Sequence, residues 1–134
     1  MWLKNKNLQT LAKFQKSCYN HCMRVCNLSS GSDGNLTYIE CENAKILVDI
    51  GLSCREVEMR LRFLNVEPSD IDAILITHEH SDHIAGLGVL ARKYEIPIYA
   101  TEGTIAAIKK SSSLGVIDED LFHPVHADEK VVIK

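Results

Sequence analysis

Three of the chain's six histidines and two of its acids fall within the six residues from His78 to His83. The segment reads ILITHEHSDHIAG, so this polar cluster follows directly on an apolar run. Imidazole nitrogen and carboxylate oxygen are donors for zinc, manganese or iron, and the lack of a cysteine among them disfavours a structural zinc site. If the apolar run is a strand, His78 and His80 lie on one side of it, because strand side chains alternate. If the chain then turns into a helix, Asp82 and His83 swing round to face a second point a few ångströms away. Glu79 and Ser81 point elsewhere and are not read as ligands. Four donors shared by two neighbouring ions is dinuclear hydrolase geometry, in which ions about 3.5–4 Å apart activate a water and stabilise a developing oxyanion. A solvated helix start would account for one histidine here, but not for this spacing behind a buried strand.

Several elements must position the cluster. Residues 1–22 have Leu8, Leu11, Phe14 and Cys18 near helical spacing and predict a short helix. Composition changes at Met23, where MRVCNLS reads as a strand, so the domain is expected to begin there and residues 1–22 to be an extension. Ser29–Asn35 is rich in turn residues. LTYIECE alternates as a strand, Glu42–Ala44 turns, and KILVDIG reads as a buried strand ending at Asp49. Ser53 is a plausible N-cap for a helix to about Asn65, with Val57, Leu61 and Leu64 on one face. Pro68 and SDID break the chain before a strand over Ala73–Thr77. A helix over Leu87–Tyr94, a strand in IPIYAT, a helix over Glu102–Lys110 and a loop at Ser111–Gly115 follow, and EKVVIK is expected to start a further strand. Hairpin strands followed by alternating helices and strands predict an α/β layered fold with its site at strand C-terminal ends, where Asp49 and His78 fall.

Composition narrows the function. A length of 134 residues suits one domain, and no stretch approaches the ~18 apolar residues of a membrane span. Residues 1–22 carry four lysines and no acid, leaving 11 basic against 18 acidic residues in the remainder. That is not the footprint of a strong nucleic-acid binder, so a polyanionic substrate would be held locally. The lysines precede no run of about 7–15 apolar residues, so no secretory signal is expected, and five cysteines in no scaffold pattern favour a reducing cytoplasm. Cys18, His21, Cys22 and Cys26 lack the second C-x-x-C pair of a zinc site and read as ordinary thiols and a histidine.

His78-x-His80-x-Asp82-His83 behind DAILITH, with Asp49 in LVDIG, resembles the defining motif of the metallo-β-lactamase-fold hydrolases. SSGSDGN, ILVDIGLS, the continuation GVLARKY-IPIYAT and EGT are similar to bacterial members of the WalJ/YycJ/VicX type. The resemblance covers about Met23 to Lys134. It implies the N-terminal half of a four-layer αββα fold, with residues 23–134 a domain whose C-terminal half is absent. It further implies a cytoplasmic enzyme with two divalent metal ions, zinc or manganese. His78 and His80 would hold the first ion, and Asp82 and His83 the second. Asp82 would also orient the water as the catalytic group, and Asp49 would steady a ligand by hydrogen bond. The loop of Ser30, Gly31, Ser32, Gly34 and Asn35 would approach the substrate, with Asp33 where the family pattern has serine. The implied activity is phosphodiester hydrolysis, as a 5′→3′ exonuclease with double-stranded DNA as partner and no membrane. The alternatives are a thioester or other small-molecule hydrolase of the same fold, and a truncated, non-catalytic metal-binding fragment. The family completes its site with later ligands. His123 and His126 are expected to be surface or turn residues rather than those ligands, so this chain by itself is not expected to be a competent enzyme.

Overall fold

A computed structural model describes residues 15–16 and 22–133. Among the described residues seven strands form one sheet in sequence order. They are β1 (Gln15–Lys16), β2 (Cys22–Ser29), β3 (Leu36–Cys41), β4 (Ala44–Val48), β5 (Ala73–Leu75), β6 (Ile98–Ala100) and β7 (Phe122–Pro124). β1 to β4 are antiparallel neighbours, and β4 to β7 run parallel. Parallel neighbours require crossovers. These carry α1 (Cys54–Phe63) between β4 and β5, α2 (Ser81–Ile84) and α3 (Leu87–Tyr94) between β5 and β6, and α4 (Glu102–Lys110) between β6 and β7. Right-handed crossovers advancing in one direction place their helices on one face of the sheet.

The register shows which face that is. Tyr38 pairs with Leu47, Leu47 with Ile74 and Ile74 with Ile98, and all four side chains are fully buried. Each buried aliphatic side chain in such a row contributes about 1.5–3 kcal/mol. The neighbouring row, Thr37–Val48–Leu75–Tyr99–His123, points to the other face and runs from half-buried to exposed. Val57 and Leu61 of α1, Leu87, Leu90 and Ala91 of α3, and Ile105 and Ile108 of α4 complete the core on the first face.

The helices begin where their sequences specify. Ser53 closes a capping box with Glu56, whose amide donates to Ser53 Oγ at 3.3 Å, and Thr101 caps α4 through the amide of Thr104. α1 is clamped to α3 by Glu58, whose carboxylate accepts from Lys93, from the Tyr94 hydroxyl at 2.6 Å and from Cys54 Sγ at 3.6 Å. These bonds, that from Lys93 foremost, hold the Glu58 carboxyl down to about 2.

Three expectations need correction. The helix drawn over residues 1–22 is absent where the chain is described, since Gln15–Lys16 form a strand on β2 and Cys22 begins β2. Leu8, Leu11, Phe14, Cys18 and His21 lie outside the described residues. The end segment EKVVIK makes no ladder over Glu129–Ile133. Phe122–Pro124 is the strand instead, because a parallel partner, β6, is within reach there. Cys26, by contrast, is the ordinary free thiol expected, buried in the core. The strand expected over Ala73–Thr77 ends at Leu75, although the Ile76 amide still donates to Tyr99 O at 3.0 Å.

Candidate functional site

The C-terminal ends of the parallel strands β4 and β5 lie side by side, and both leave the sheet at a polar residue. Asp49 follows β4 with φ 62°, a left-handed conformation that aspartate tolerates better than most residues. Its amide donates to Leu75 O at 2.8 Å, which ties it to the end of β5. The side chain is nearly buried, at 7% exposure, and turns toward the residues after β5. Asp49 Oδ1 accepts from the Thr77 amide at 2.9 Å, and Oδ2 lies 2.8 Å from Thr77 Oγ1 and 2.7 Å from His83 Nδ1.

These contacts determine which imidazole nitrogen faces outward. A carboxylate only accepts, so His83 Nδ1 carries a proton, and in the neutral imidazole Nε2 presents the lone pair. Asn35 Nδ2 lies 3.3 Å from Nε2. The Thr77 hydroxyl has one proton and donates it in a hydrogen bond to the carboxylate. Its oxygen then accepts from His78 Nδ1 at 3.0 Å, leaving His78 Nε2 bare as well. One carboxylate therefore orients two histidines, one directly and one through Thr77.

α2 delivers Asp82 and His83. The chain is extended at His80, with φ −64° and ψ 147°, and then turns helical, so the expected swing from strand to helix is present. The helix is one turn long, and main-chain bonds from two loops hold it. The amides of Asn35 and Ile50 donate to the carbonyls of Asp82 and His83, each at 2.8 Å, and the Gly86 amide donates to Ile50 O at 3.0 Å. Gly51 makes this approach possible, because a Cβ there would sit 1.8 Å from Asp82 O and 2.4 Å from Asn35 N.

The rings gather closely. The His78 centroid lies 4.6 Å from that of His80 and 3.9 Å from that of His83. Asp82 Oδ2 is 3.6 Å from His83 Nε2. Two donors on one tetrahedral zinc with bonds of 2.0–2.1 Å stand about 3.4 Å apart, so this pair is spaced to share an ion. Among the described residues no three histidine, cysteine or acidic side chains close around a single point.

Of the residues singled out in the sequence, Asp49, His78, His80, Asp82, His83 and Asn35 come together here. Glu79 and Ser81 are exposed. In the loop, Ser30, Gly31, Ser32 and Asp33 are exposed and Gly34 is buried, and only Asn35 bonds to the cluster. His123 is exposed and stacks on Tyr99 with centroids 4.9 Å apart, and the His126 amide is bonded to Glu129. Thr77 was not singled out. Its signal was a hydroxyl residue closing an otherwise apolar strand directly before His78.

Residues 30–130 match the metallo-beta-lactamase superfamily. The chain belongs to that superfamily. It is 52% identical over 96 residues to the exodeoxyribonuclease WalJ of Streptococcus pneumoniae, a match covering 72% of this chain and 36% of that protein. It is 50% identical over 82 residues to the exodeoxyribonuclease YycJ of Bacillus anthracis, covering 61% and 31% respectively. The chain thus spans about a third of the length of these curated relatives. Its fold also matches a solved B3 metallo-beta-lactamase with an active-site glutamic acid, at a TM-score of 0.67 and 17% identity. That match covers 99% of this chain and 53% of the other, and it places the described sheet and helices in the metallo-beta-lactamase fold. Among the described residues no helix is long and apolar enough to cross a membrane.

Proposed function

We propose that the complete protein is a metal-dependent phosphodiesterase that degrades double-stranded DNA from the 5′ end. The observation that carries this reading is the Asp49–Thr77–His78 and Asp49–His83 network, which turns Nε2 of two neighbouring imidazoles outward beside Asp82. Membership of a hydrolase superfamily and half-identity to two exodeoxyribonucleases support it.

In this reading His78 and His80 hold one divalent ion, zinc or manganese, and Asp82 and His83 hold a second. When bound, the pair supplies Lewis acidity toward a phosphoryl oxygen and lowers the pKa of water. The chain's own residues do the rest. Asp49 keeps the proton of His83 on Nδ1, and Thr77 does the same for His78. Asp82 accepts a hydrogen bond from the attacking water and aims it at phosphorus. Catalytic zinc takes about three protein donors, and each pair here gives two. The remaining donors belong to residues beyond Lys134, with residues 23–134 forming the first half of the domain and 1–22 an extension of it.

The test uses the complete protein with blunt, 5′-labelled duplex DNA. Asp82→Asn is expected to keep the fold and lose on the order of 10²-fold or more in turnover, the scale of a positioned general base. The double substitution His78→Ala and His80→Ala is expected to lose bound metal. Normal turnover in the first variant together with unchanged metal content in the second would remove this assignment. Cleavage of a thioester but not of DNA by the wild type would move the substrate class.

A further inference from the structure

We infer that Asn35 is a positioning residue of the catalytic centre, acting on Asp82 and His83, and not a substrate-binding residue of its loop. This rests on the function proposed above. The Asn35 side chain lies at the junction of three segments that are distant in sequence. Its Oδ1 accepts from the Gly31 amide at 3.2 Å, and its Nδ2 lies 3.0 Å from Gly31 O, which folds the loop on itself. The same Nδ2 reaches across to Asp82 O and Asp82 Oδ2, both at 3.2 Å, and to His83 Nε2 at 3.3 Å. The main chain joins the same partners, since Asn35 N donates to Asp82 O at 2.8 Å and Asn35 O accepts from Gly51 N at 2.9 Å.

A carboxamide has two N–H protons and here meets four acceptors. Gly31 O and Asp82 O are main-chain atoms fixed by the fold, while Asp82 Oδ2 and His83 Nε2 are the two proposed metal donors. When those donors turn to an ion, Nδ2 keeps the two carbonyls, so Asn35 does not compete with the metal. Before the ion arrives it does two things. It holds the Asp82 carboxylate beside His83, and it packs its Nδ2 against His83 Nε2 at 3.3 Å, which fixes where the ring lies. Asp49 holds the ring from its Nδ1 side, and the Asn35 amide lies against it on the Nε2 side. His78 and His80 receive no such contact from Asn35 among its bonds, so the effect is confined to the Asp82–His83 half of the centre.

Two variants separate positioning from loop building. Asn35→Ala removes both the loop bonds and the reach to α2. Asn35→Ser restores a side-chain oxygen suited to a turn but is too short to reach Asp82 Oδ2 or His83 Nε2. Metal-free, ¹⁵N-labelled protein gives the first readout. The His83 Nε2 resonance is expected to shift in both variants while that of His78 does not. Zinc titration against a chelator gives the second, with a 10–100-fold weakening of one of two ions in both variants and the other unchanged. Thermal unfolding is expected to recover in the serine variant, whereas the zinc affinity is not. Recovery of zinc affinity by serine, equal weakening of both ions, or an unmoved His83 resonance would overturn the inference. A wild-type protein that binds no divalent ion and cleaves no DNA would instead defeat the proposed function, and the resonance readout would still decide the role of Asn35.

Discussion

Replacing Asp49 with asparagine tests the logic of the centre with little disturbance of its backbone. Asparagine is nearly isosteric and tolerates the φ of 62°, so strain is not introduced. The carboxamide must place its single oxygen. The Thr77 amide, 2.9 Å from Oδ1, is fixed main chain and takes that oxygen. The NH₂ group then occupies the position of Oδ2, 2.7 Å from His83 Nδ1. Two donors cannot face each other, so Nδ1 must become the acceptor and the proton moves to Nε2. That nitrogen can no longer bind a metal. Thr77 Oγ1 also lies 3.0 Å from the retained oxygen and keeps its donation there while accepting from the NH₂, so His78 is expected to keep its orientation and the change to fall on His83. The opposite placement of the amide would leave the Thr77 amide facing a donor at a nearly buried site, which costs about 1–3 kcal/mol. Loss of an orienting carboxylate of this kind weakens metal binding about 10–100-fold, equivalent to roughly 1.4–2.7 kcal/mol. Chelator competition measures the affinity, and imidazole ¹⁵N shifts report the tautomers. Wild-type zinc affinity with His83 still protonated on Nδ1 would refute the reasoning.

Two further predictions follow from the surrounding scaffold. Gly51→Ala places a Cβ 1.8 Å from Asp82 O, so the loop and α2 must part; a stability loss of about 1–3 kcal/mol by urea unfolding is expected, with lowered metal affinity, and unchanged unfolding would show that the contact is not tight. Glu58 is held at about 2 by Lys93 and Tyr94, below its ordinary 4.5, so its contribution is fully present above pH 4.5 and lost as pH falls toward 2; Glu58→Gln is expected to flatten the acid limb of unfolding monitored by circular dichroism over that window, and an unchanged limb would place acid sensitivity elsewhere.

How much of this was legible in the sequence depended on the range of the interaction involved. Ser53 with Glu56, and the apolar positions Val57 and Leu61, are local signals, and α1 forms where they place it. The spacing of His78, His80, Asp82 and His83 is local too, so their clustering and the strand-to-helix turn could be read directly. Asp49 was legible as the residue ending a buried strand, but its role in steadying a ligand only through resemblance to a family pattern. Its contact with His83 spans 34 residues of sequence, and no periodicity reports it. EKVVIK and Phe122–Pro124 show the limit for strands. Propensity favoured the former, but a strand needs a partner, and β6 offers its free edge to the latter.

The sequence by itself determined the donor chemistry, the helix caps and the alternation that gives the sheet one buried face. Tertiary structure decided which nitrogen of each histidine faces outward, that Thr77 transmits the effect of Asp49 to His78, and that Asn35 bonds to α2 rather than standing free in its loop. The reason is physical. Donor type and short-range spacing are properties of neighbouring residues, whereas a tautomer is set by whatever acceptor or donor the folded chain brings to the other side of the ring.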